Sequence, residues 1–301
     1  LSFAVSMLAR NVKYPDVVAH TIHEVGTGWL VFTLYMVLFL IAFDLFKLFN
    51  GGFKYGFYIS LLLTLCLLSY GYYHYQHPKT QVFNIVINKV ANSNQQPVKV
   101  VAISDIHLGY GTNKAQLKKY VNMINAEQPD LILIGGDLID NSVTPLYAEN
   151  MQEELSQLKA PLGIYMVPGN HEYISGIKKS VDFIQSTPIR LLRDTVITLP
   201  NGLQIAGRDD RHNPSRLSLQ ALSQNIDPDK PVILLDHQPY DLQETEKVGI
   251  DLQFSGHTHR GQIWPMSLLT DRLFEQSYGY RQWGNSHIYV SSGLSLWGPP
   301  F

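Results

Sequence analysis

The sequence predicts an α/β domain of layered sheets and helices, preceded by a pair of apolar helices. From Val98 onward, short apolar runs typical of buried strands alternate with segments whose apolar residues recur at helical intervals. Two long runs without a charged residue precede this alternation. No internal repeat or low-complexity tract interrupts it. This order of elements favours sheets that are covered by helices.

The N-terminal region contains two uncharged apolar runs, WLVFTLYMVLFLIAF at residues 29–43 and FYISLLLTLCLLSYGYY at residues 57–73. Each approaches the roughly 20 residues with which a helix crosses a bilayer. Trp29 and the tyrosines that end the second run suit a membrane interface. We therefore expect residues 1–78 to form a membrane region with about two transmembrane helices. The alternative is a pair of core helices in a soluble domain, and residues 1–9 could be the tail of a further span.

The basic residues around these runs favour neither orientation. Two lysines lie between the runs, and four basic residues flank them on the other side: Arg10, Lys13, Lys79 and Lys89. The positive-inside rule compares these two sets, and they nearly balance. We expect a multi-pass protein of the cell membrane, in contact with the lipid bilayer. The sequence does not determine on which face of the membrane the following domain lies.

The remaining chain divides into a polar linker or edge hairpin at residues 79–97 and an α/β domain at residues 98–301. Strands are predicted at 98–104, 131–136, 163–167, 232–236, 252–255 and 287–291, with short strands between 189 and 208. Helices are predicted near 113–127, 146–159, 177–186 and 215–225.

The composition argues against some classes of protein. The formal net charge of −2 lacks the basic excess of a nucleic-acid binder, so we expect no nucleic-acid partner. The single cysteine, Cys66, allows no disulfide and no cysteine-based zinc site. Because the first residue is Leu1 rather than methionine, we expect a fragment or a processed product.

Polar residues follow five of the apolar runs directly. In chain order they are Asp105 and His107, Asp137, Asn170 and His171, His237, and His257 and His259. In open α/β sheets, the crevice beyond the carboxyl ends of the strands is where sites are built. We therefore expect these side chains to converge on one place.

The residue types in this set suit a pair of divalent metal ions. Carboxylate and amide oxygens with imidazole nitrogens, and no thiolate, suit manganese, iron or zinc. The candidates are too many for one tetrahedral ion, but they fit two ions that share a carboxylate and lie about 3.5–4 Å apart. Such a pair polarises a phosphoryl oxygen and lowers the pKa of a bridging water. A lone buried histidine is more often a core residue, so the ordered set carries the prediction.

Glycines directly precede several candidate ligands, at Gly135, Gly136, Gly169 and Gly256. A chain that turns sharply off a strand end often needs a positive φ, which glycine adopts without steric cost. We therefore expect these glycines to make left-handed turns.

The ordered blocks SDIH, GGDLID, GNHE, a lone histidine at position 237 and GHTH resemble the calcineurin-like metallophosphoesterase superfamily over residues 98–301. The segments GNHEY, GHTHRGQ and SSGLSLWGPP, with the apolar hairpin, are similar to its membrane-associated branch of YkuE- and YaeI-type phosphoesterases. The resemblance implies a four-layer αββα metallophosphoesterase sandwich preceded by an N-terminal transmembrane helical hairpin. The family pattern usually continues past WGPP with an arginine, whereas this sequence ends at Phe301.

The resemblance also implies roles for individual residues. One ion would be held by Asp105, His107 and His259, and the other by Asn170, His237 and His257, with Asp137 bridging both. His171 would lie over the substrate phosphate as a general acid or electrostatic stabiliser of the leaving oxygen, with a structural histidine as the alternative. Asp140 would orient a ligand histidine, or would simply form a turn.

The segment GRDDRHNPSR, residues 207–216, lies near the expected mouth of the site. Its charged residues could contact a polar head group or form an ordinary solvated loop. We favour the solvated loop.

These observations predict a membrane-tethered phosphoester hydrolase that depends on two divalent metal ions, with manganese favoured, and uses a metal-bridging hydroxide. Because the hairpin would keep the site near the bilayer, we expect a lipid-linked phosphodiester or pyrophosphate as substrate. One alternative is a phosphatase or phosphodiesterase that acts on a soluble nucleotide or phosphomonoester. Another is a non-catalytic metal-binding scaffold, which the complete ligand set disfavours, and a nuclease is disfavoured by the charge balance.

Overall fold

The structure is a computed structural model that describes residues 16–50, 54–89 and 97–301. It divides into two compact units. The first comprises the chain up to Gln81 together with Leu296–Phe301, and the second comprises Val82–Ser295. The expected boundaries at 1–78, 79–97 and 98–301 stay a prediction. The suggestion of a further span at residues 1–9 lies outside the described residues.

The first unit contains two long apolar helices, α1 (Asp16–Asn50) and α2 (Gly56–Gln76). The buried residues of α2 are small and recur every fourth position, at Gly56, Ser60 and Thr64. Such a stripe allows two helices to approach closely, and the Thr64 hydroxyl lies 3.9 Å from the sulfur of Met36 on α1. The two helices therefore form a hairpin.

The outer faces of both helices are apolar. Segments Val25–Phe49 and Gly56–Gln76 are long and apolar enough to cross a membrane. Few residues of either segment are buried, and side chains such as Leu48 and Leu62 are exposed. A core helix of a soluble protein would bury these residues, so this pattern favours helices that face lipid.

The second unit contains two sheets. The first is a parallel sheet in the order β1-β2-β3-β4, made of Val100–Ile103, Leu131–Ile134, Ile164–Met166 and Arg190–Leu191. The second has the order β5-β6-β7-β8-β10-β9 and is made of Thr195–Thr198 (β5), Gln204–Gly207 (β6), Val232–Leu235 (β7), Leu252–Ser255 (β8), Gly279–Trp283 (β9) and Ser286–Val290 (β10). Its outer pairs β5–β6 and β9–β10 are antiparallel, and the central pairs are parallel.

The helices of this unit differ in part from the prediction. They are α3 (Lys114–Ala126), α4 (Thr144–Ala148), α5 (Met151–Leu155), α6 (Asn170–Ile174), α7 (Ile177–Gln185), α8 (Leu219–Ser223), α9 (Leu242–Lys247) and α10 (Met266–Leu273). The single helix expected at 146–159 is wrong, because Asn150 has a left-handed backbone with φ of 52° and separates α4 from α5. Three short helices, α6, α9 and α10, and strand β9 were not predicted.

Side chains alternate across each sheet and so define four layers. Along β2, Ile132 and Ile134 belong to a core beneath helices such as α3 and α7, whereas Leu131 and Leu133 belong to the core between the two sheets. Residues of β7 alternate in the same way between that central core and a third cluster beneath α8. The order of layers is helix, sheet, sheet, helix, which confirms the predicted αββα sandwich.

The beginning of the expected linker is attached to this unit. Lys89 forms an ion pair with Asp251 at 2.9 Å, and the ring of Phe83 lies 5.2 Å from that of Tyr289 on β10. Within the predicted linker, Phe83 and Lys89 therefore contact the second unit despite the polar composition around them.

Candidate metal centre

The expected ligands lie at the carboxyl ends of strands from both sheets. The chain leaves β1 toward Asp105, β2 toward Asp137, β3 toward Asn170, β7 toward His237 and β8 toward His257. Backbone hydrogen bonds join these exits: Asp105 donates to the carbonyl of Gly136 at 3.0 Å, and Gly256 donates to that of His237 at 2.9 Å. The two sheets thus bring distant parts of the sequence to one place.

A first cluster consists of Asp105, His107 and His259, whose candidate ligand atoms all lie within 4.8 Å of one another. The Nε2 atoms of His107 and His259 are 3.0 Å apart, and His259 Nε2 is 3.4 Å from Asp105 Oδ1. All three residues are buried. Two imidazole nitrogens and a carboxylate oxygen therefore face a common point.

A second cluster consists of Asp137, His237 and His257, with Asn170 beside it. Asn170 Oδ1 lies 2.8 Å from His257 Nδ1 and 3.1 Å from His237 Nε2. Asp137 Oδ2 lies 3.1 Å from His237 Nε2 and 3.9 Å from His107 Nε2. The Asp137 carboxylate therefore lies between the two clusters.

Burial and neighbouring charges shift the pKa values of the candidate ligands in different directions. Burial and the neighbouring charged histidines hold the pKa values of His257 and His259 at about 4, so these rings are neutral at physiological pH. Burial would raise the pKa of Asp137, but the nearby histidines lower it below its usual value. Burial would lower the pKa of His237, but the Asp137 carboxylate raises it well above its usual value. The negative charge of Asp137, which favours a proton on His237, would also favour a divalent cation in place of that proton.

The residues present fit a pair of divalent ions. Imidazole nitrogens and carboxylate and amide oxygens converge in two groups that share Asp137, and such a donor set suits first-row metals. The only cysteine of the sequence, Cys66, lies on α2 and contributes no thiolate to these clusters. The assignment of each ligand to one ion stays a prediction.

His171 belongs to neither of these two clusters, but it forms a third group of possible metal ligands with His107 and Asp140. Its backbone N–H donates to Asp137 Oδ1 at 2.9 Å, and its Nδ1 lies 2.9 Å from the carbonyl of Asp140 and 3.2 Å from the Asp140 carboxylate. Burial would lower the pKa of His171, but Asp140 and Asp137 raise it to about 9. These two carboxylates therefore favour the imidazolium form of His171.

Asp140 contacts two histidines of the site. Its Oδ1 lies 3.2 Å from His171 Nδ1 and 3.7 Å from His107 Nδ1. These two rings meet edge to face with their centres 4.6 Å apart. Asp140 is thus placed to orient His107, as the resemblance implied, and it also contacts His171, which the sequence analysis did not anticipate.

Glu172 is a central residue that the sequence reasoning missed. Its buried carboxylate accepts hydrogen bonds from the backbone N–H groups of Gly169 at 2.7 Å, Ile139 at 2.9 Å and Asp137 at 3.0 Å. Burial and the charge of Asp137 raise its pKa to about 7. Glu172 therefore ties the turn after β2 to the start of α6. An acidic residue at the third position of a helix is the signal that could have indicated it.

Several expected ligands have strained backbones. Asp105, His107, Asp137, His257 and His259 all have φ between 47° and 73°. Residues other than glycine rarely adopt this left-handed region, and such residues cluster at functional sites. The turns thus aim ligand side chains at the cost of local strain, which the surrounding hydrogen bonds offset.

The prediction that glycines make these turns is largely wrong. Of the four glycines, only Gly136 has a positive φ, of 96°. The others are needed because there is no room for a side chain: a Cβ at Gly169 would overlap the Asp137 carboxylate, and one at Gly256 would overlap that of Asp105. Close approach of the backbone to ligands, rather than turn conformation, explains these glycines.

The loop at residues 207–216 is anchored by buried carboxylates. Asp209 accepts hydrogen bonds from Tyr173 at 2.8 Å and from Arg193 at 2.9 Å. Asp210 accepts from the backbone of His212 at 2.9 Å and contacts its Nδ1 at 2.7 Å. Both aspartates are nearly fully buried. The loop is therefore solvated only in part, because Arg211 and His212 are exposed whereas the two aspartates are buried.

The second anchor of the loop is Asp236, the residue before His237. Its buried carboxylate accepts hydrogen bonds from Arg208 at 2.9 Å and from Arg216 at 2.5 Å. Burial raises the pKa of Asp236 although both arginines oppose this. Both ends of the loop are thus attached to the strand exit that carries a candidate ligand.

Comparison with known proteins identifies related sequences. The family model described as calcineurin-like phosphoesterase matches residues 98–261, which is more than half of the 301 residues. An uncharacterized metallophosphoesterase of Helicobacter pylori strain J99 is 34% identical over 253 residues, covering 81% of this chain and 65% of the relative. The chain therefore spans about two thirds of that relative's length.

Two further relatives have informative names. A transmembrane protein with metallophosphoesterase domain from Danio rerio is 29% identical over 259 residues, covering 80% of this chain and 59% of the relative. The uncharacterized metallophosphoesterase YkuE of Bacillus subtilis is 33% identical over 215 residues, covering 66% and 72% respectively. The matched interval of the family model includes every expected ligand as well as His171.

Proposed function

The chain belongs to the calcineurin-like phosphoesterase family, and we propose that it is a membrane-tethered phosphoester hydrolase that depends on two divalent metal ions. The observation that carries this proposal is the arrangement around Asp137. This buried carboxylate lies between two ligand clusters, and its other oxygen accepts the backbone N–H of the cationic His171.

Divalent ions in such a site supply Lewis acidity to phosphoryl oxygens and make water nucleophilic at neutral pH. Manganese is the ion that we favour. The protein's own residues have separate tasks. The seven expected ligands would hold the ions, and burial of Asp105, Asp137 and His237 excludes bulk water from the ligand atoms.

His171 acts on the leaving group in this proposal. As an imidazolium it offsets the negative charge that develops on the leaving oxygen and donates the Nε2 proton to it. Asp140 holds Nδ1, which fixes the ring orientation and favours the charged form. Bond cleavage then releases a neutral alcohol or a protonated phosphate instead of an anion of high energy.

The membrane tether is supported by α1 and α2. Both are long enough to cross a bilayer and expose apolar side chains. The Danio rerio relative is named as a transmembrane protein. We propose that the two helices cross the cell membrane and make the protein multi-pass.

The proposed substrate class follows from this tether. A hydrolase that is held at a bilayer meets lipid-borne phosphates far more often than one in bulk solution. A lipid-linked phosphodiester or pyrophosphate is therefore the substrate that we propose.

The test compares two chromogenic diesters that differ only in their apolar chain. The full chain, purified in detergent, stripped of metal and reloaded with Mn²⁺, is given p-nitrophenyl methyl phosphate or p-nitrophenyl hexadecyl phosphate in mixed micelles. We expect metal-dependent hydrolysis of both, with kcat/KM at least about tenfold higher for the hexadecyl ester, since each buried methylene contributes about 0.8 kcal/mol. Preference for the methyl ester would favour the soluble-substrate alternative. Absence of turnover of either ester, with metal bound, would favour the scaffold.

A further inference from the structure

A cleft of ≈ 390 Å³ lies on the second unit beside the candidate metal centre, lined by Arg211, His212, Gln238, Tyr240 and Asp241. These residues come from two segments, the anchored loop at 207–216 and the chain that follows His237. None of them is among the expected metal ligands. The cleft is therefore a separate feature that the proposed chemistry does not use.

The walls of the cleft are continuous with the metal centre on two sides. On one side, the ring of His212 stacks on that of Tyr173, which lies on the helix that carries Asn170 and His171, with centres 6.0 Å apart. On the other side, the ring of Tyr240 lies 5.0 Å from Phe274, and Phe274 lies 5.9 Å from the ring of His257. A group attached to a phosphate at the centre could thus extend into the cleft.

The loop presents nitrogen donors on a rigid base. Buried Asp210 engages the Nδ1 atom of His212, which leaves Nε2 as the ring nitrogen that can contact a ligand. Asp209 and Asp236 fix the loop on either side. Nine-tenths or more of the side chains of Arg216 and these aspartates is buried. Such anchoring reduces the entropy that is lost when a ligand orders the loop.

Arg211 is the principal cation of the cleft. Its guanidinium lies over the ring of Tyr240, with Cζ 4.7 Å from the ring centre, and one nitrogen is 3.3 Å from Asp241 Oδ2. Both partners of this ion pair are about half exposed, and exposed pairs of this kind contribute only about 0–1 kcal/mol. A phosphate or carboxylate can therefore displace Asp241 and bind the guanidinium through two parallel hydrogen bonds. A ligand cation would find the face of Tyr240 already occupied by Arg211.

We infer that this cleft is a subsite for a second anionic group of the substrate, a phosphate or a carboxylate, bound chiefly by Arg211 with help from His212. This inference rests on the proposed hydrolase function and deepens it, because it selects substrates that carry a second charge beyond the phosphate that is cleaved. A substrate with one phosphate and an uncharged substituent has no second anionic group that Arg211 could bind.

The kinetic test uses two chromogenic esters and two arginine variants of the full chain, purified in detergent and loaded with Mn²⁺. The esters are p-nitrophenyl methyl phosphate and p-nitrophenyl 2-phosphonoethyl phosphate, whose phosphonate cannot be hydrolysed. The variants are Arg211→Met and, as a matched control, Arg281→Met, because Arg281 is also stacked on a ring, that of Trp283 on β9. Methionine keeps an apolar chain against the ring in both.

The ratio of kcat/KM for the two esters is the quantity that decides. We expect Arg211→Met to lower the kcat/KM of the phosphonoethyl ester, relative to that of the methyl ester, by about tenfold or more. The reason is that a hydrogen bond to a charged group contributes roughly 1.5–3 kcal/mol. Arg281→Met should leave the ratio at the parent value. An unchanged ratio in Arg211→Met would overturn the subsite.

A binding measurement separates this inference from the proposed function. Calorimetry follows ethane-1,2-diphosphonate and methylphosphonate binding to the same three Mn²⁺-loaded proteins. We expect Arg211→Met to weaken the diphosphonate by about tenfold or more and to weaken methylphosphonate much less. If Arg211→Met weakened the binding of diphosphonate and of methylphosphonate equally, the cleft would bind any free anion, and the proposed substrate subsite would be overturned. If neither ester is hydrolysed but the diphosphonate shows the expected loss, the hydrolase proposal fails while the subsite stands.

Discussion

The Nε2 atoms of His107 and His259 lie 3.0 Å apart although 152 positions separate the two residues in the sequence. His107 follows β1 of the first sheet, and His259 follows β8 of the second. Their rings stack at 30° with centres 5.0 Å apart. The packing of the two sheets therefore creates the metal centre, because neither sheet alone contains both halves of the first ligand cluster.

Replacing His171 should separate chemistry from metal binding. His171→Ala removes the imidazolium but none of the expected ligands, so we expect two bound ions and a fall in kcat of roughly 10²–10⁴-fold. Metal analysis and diester hydrolysis measure both. His287→Ala, on β10 and outside the centre, is the matched control and should retain turnover. Loss of the ions in His171→Ala would show that His171 is a ligand and that the assigned role is wrong.

Replacing Asp140 should change the pH dependence of hydrolysis. A general acid must be protonated, so activity falls as the pH rises through the pKa of His171, which Asp140 helps to raise. Asp140→Asn removes that negative charge, and we expect the alkaline limb of the kcat profile to move to lower pH by about one unit.

The exposed aspartate on α7, Asp182, provides the control for this experiment. Asp182→Asn should reproduce the parent profile. Because Asp140 also contacts the expected ligand His107, bound metal is measured in each protein and the profiles are compared at equal metal content. An alkaline limb that stays in place in Asp140→Asn would contradict the assignment of His171 as the proton donor.

Replacing Glu172 should reduce the stability of the protein more than replacing another buried carboxylate. Three backbone N–H groups donate to this carboxylate, and in Glu172→Gln an amide NH₂ would face at least one of them. We expect a loss of about 2–3 kcal/mol in the free energy of unfolding, since a buried donor is left unpaired. Denaturation at pH 8, above the pKa of about 7 for Glu172, measures this.

Glu154→Gln is the matched control for the buried carboxylate. Glu154 is also buried but accepts a hydrogen bond from the side chain of Gln157 at 3.3 Å. We expect this variant to lose less than half as much stability. Equal losses in the two variants would show that the backbone contacts of Glu172 have no special importance.

The sequence predicted that the candidate ligands converge because their signal is local. An apolar run followed at once by aspartate, asparagine or histidine marks a strand exit, and parallel strands bring such exits to one edge. The resemblance to the metallophosphoesterase superfamily, and not the spacing, placed His107 and His259 on the same ion, and the structure brings their Nε2 atoms within 3.0 Å of one another.

Other features of the fold could not be predicted from the sequence because they depend on tertiary contacts. Helix α6 has five residues, too few for a helical period to be seen. Asn150 breaks the helix expected at 146–159 through a left-handed backbone that its residue type does not require. The charged composition of residues 207–216 suggested solvent, whereas the buried Asp209 forms an ion pair with Arg193 and Arg216 forms one with the buried Asp236.

Metal-dependent hydrolysis with and without Asp137 tests the central claim most directly. The full chain in detergent, stripped and reloaded with Mn²⁺, is assayed for bound metal and for hydrolysis of p-nitrophenyl methyl phosphate, beside Asp137→Asn and the exposed control Asp182→Asn. We predict two ions per chain and metal-dependent turnover in the parent and the control, with both lost in Asp137→Asn because the shared carboxylate loses its charge. Parent-level metal content and turnover in Asp137→Asn would contradict the account of a dimetal centre built around Asp137.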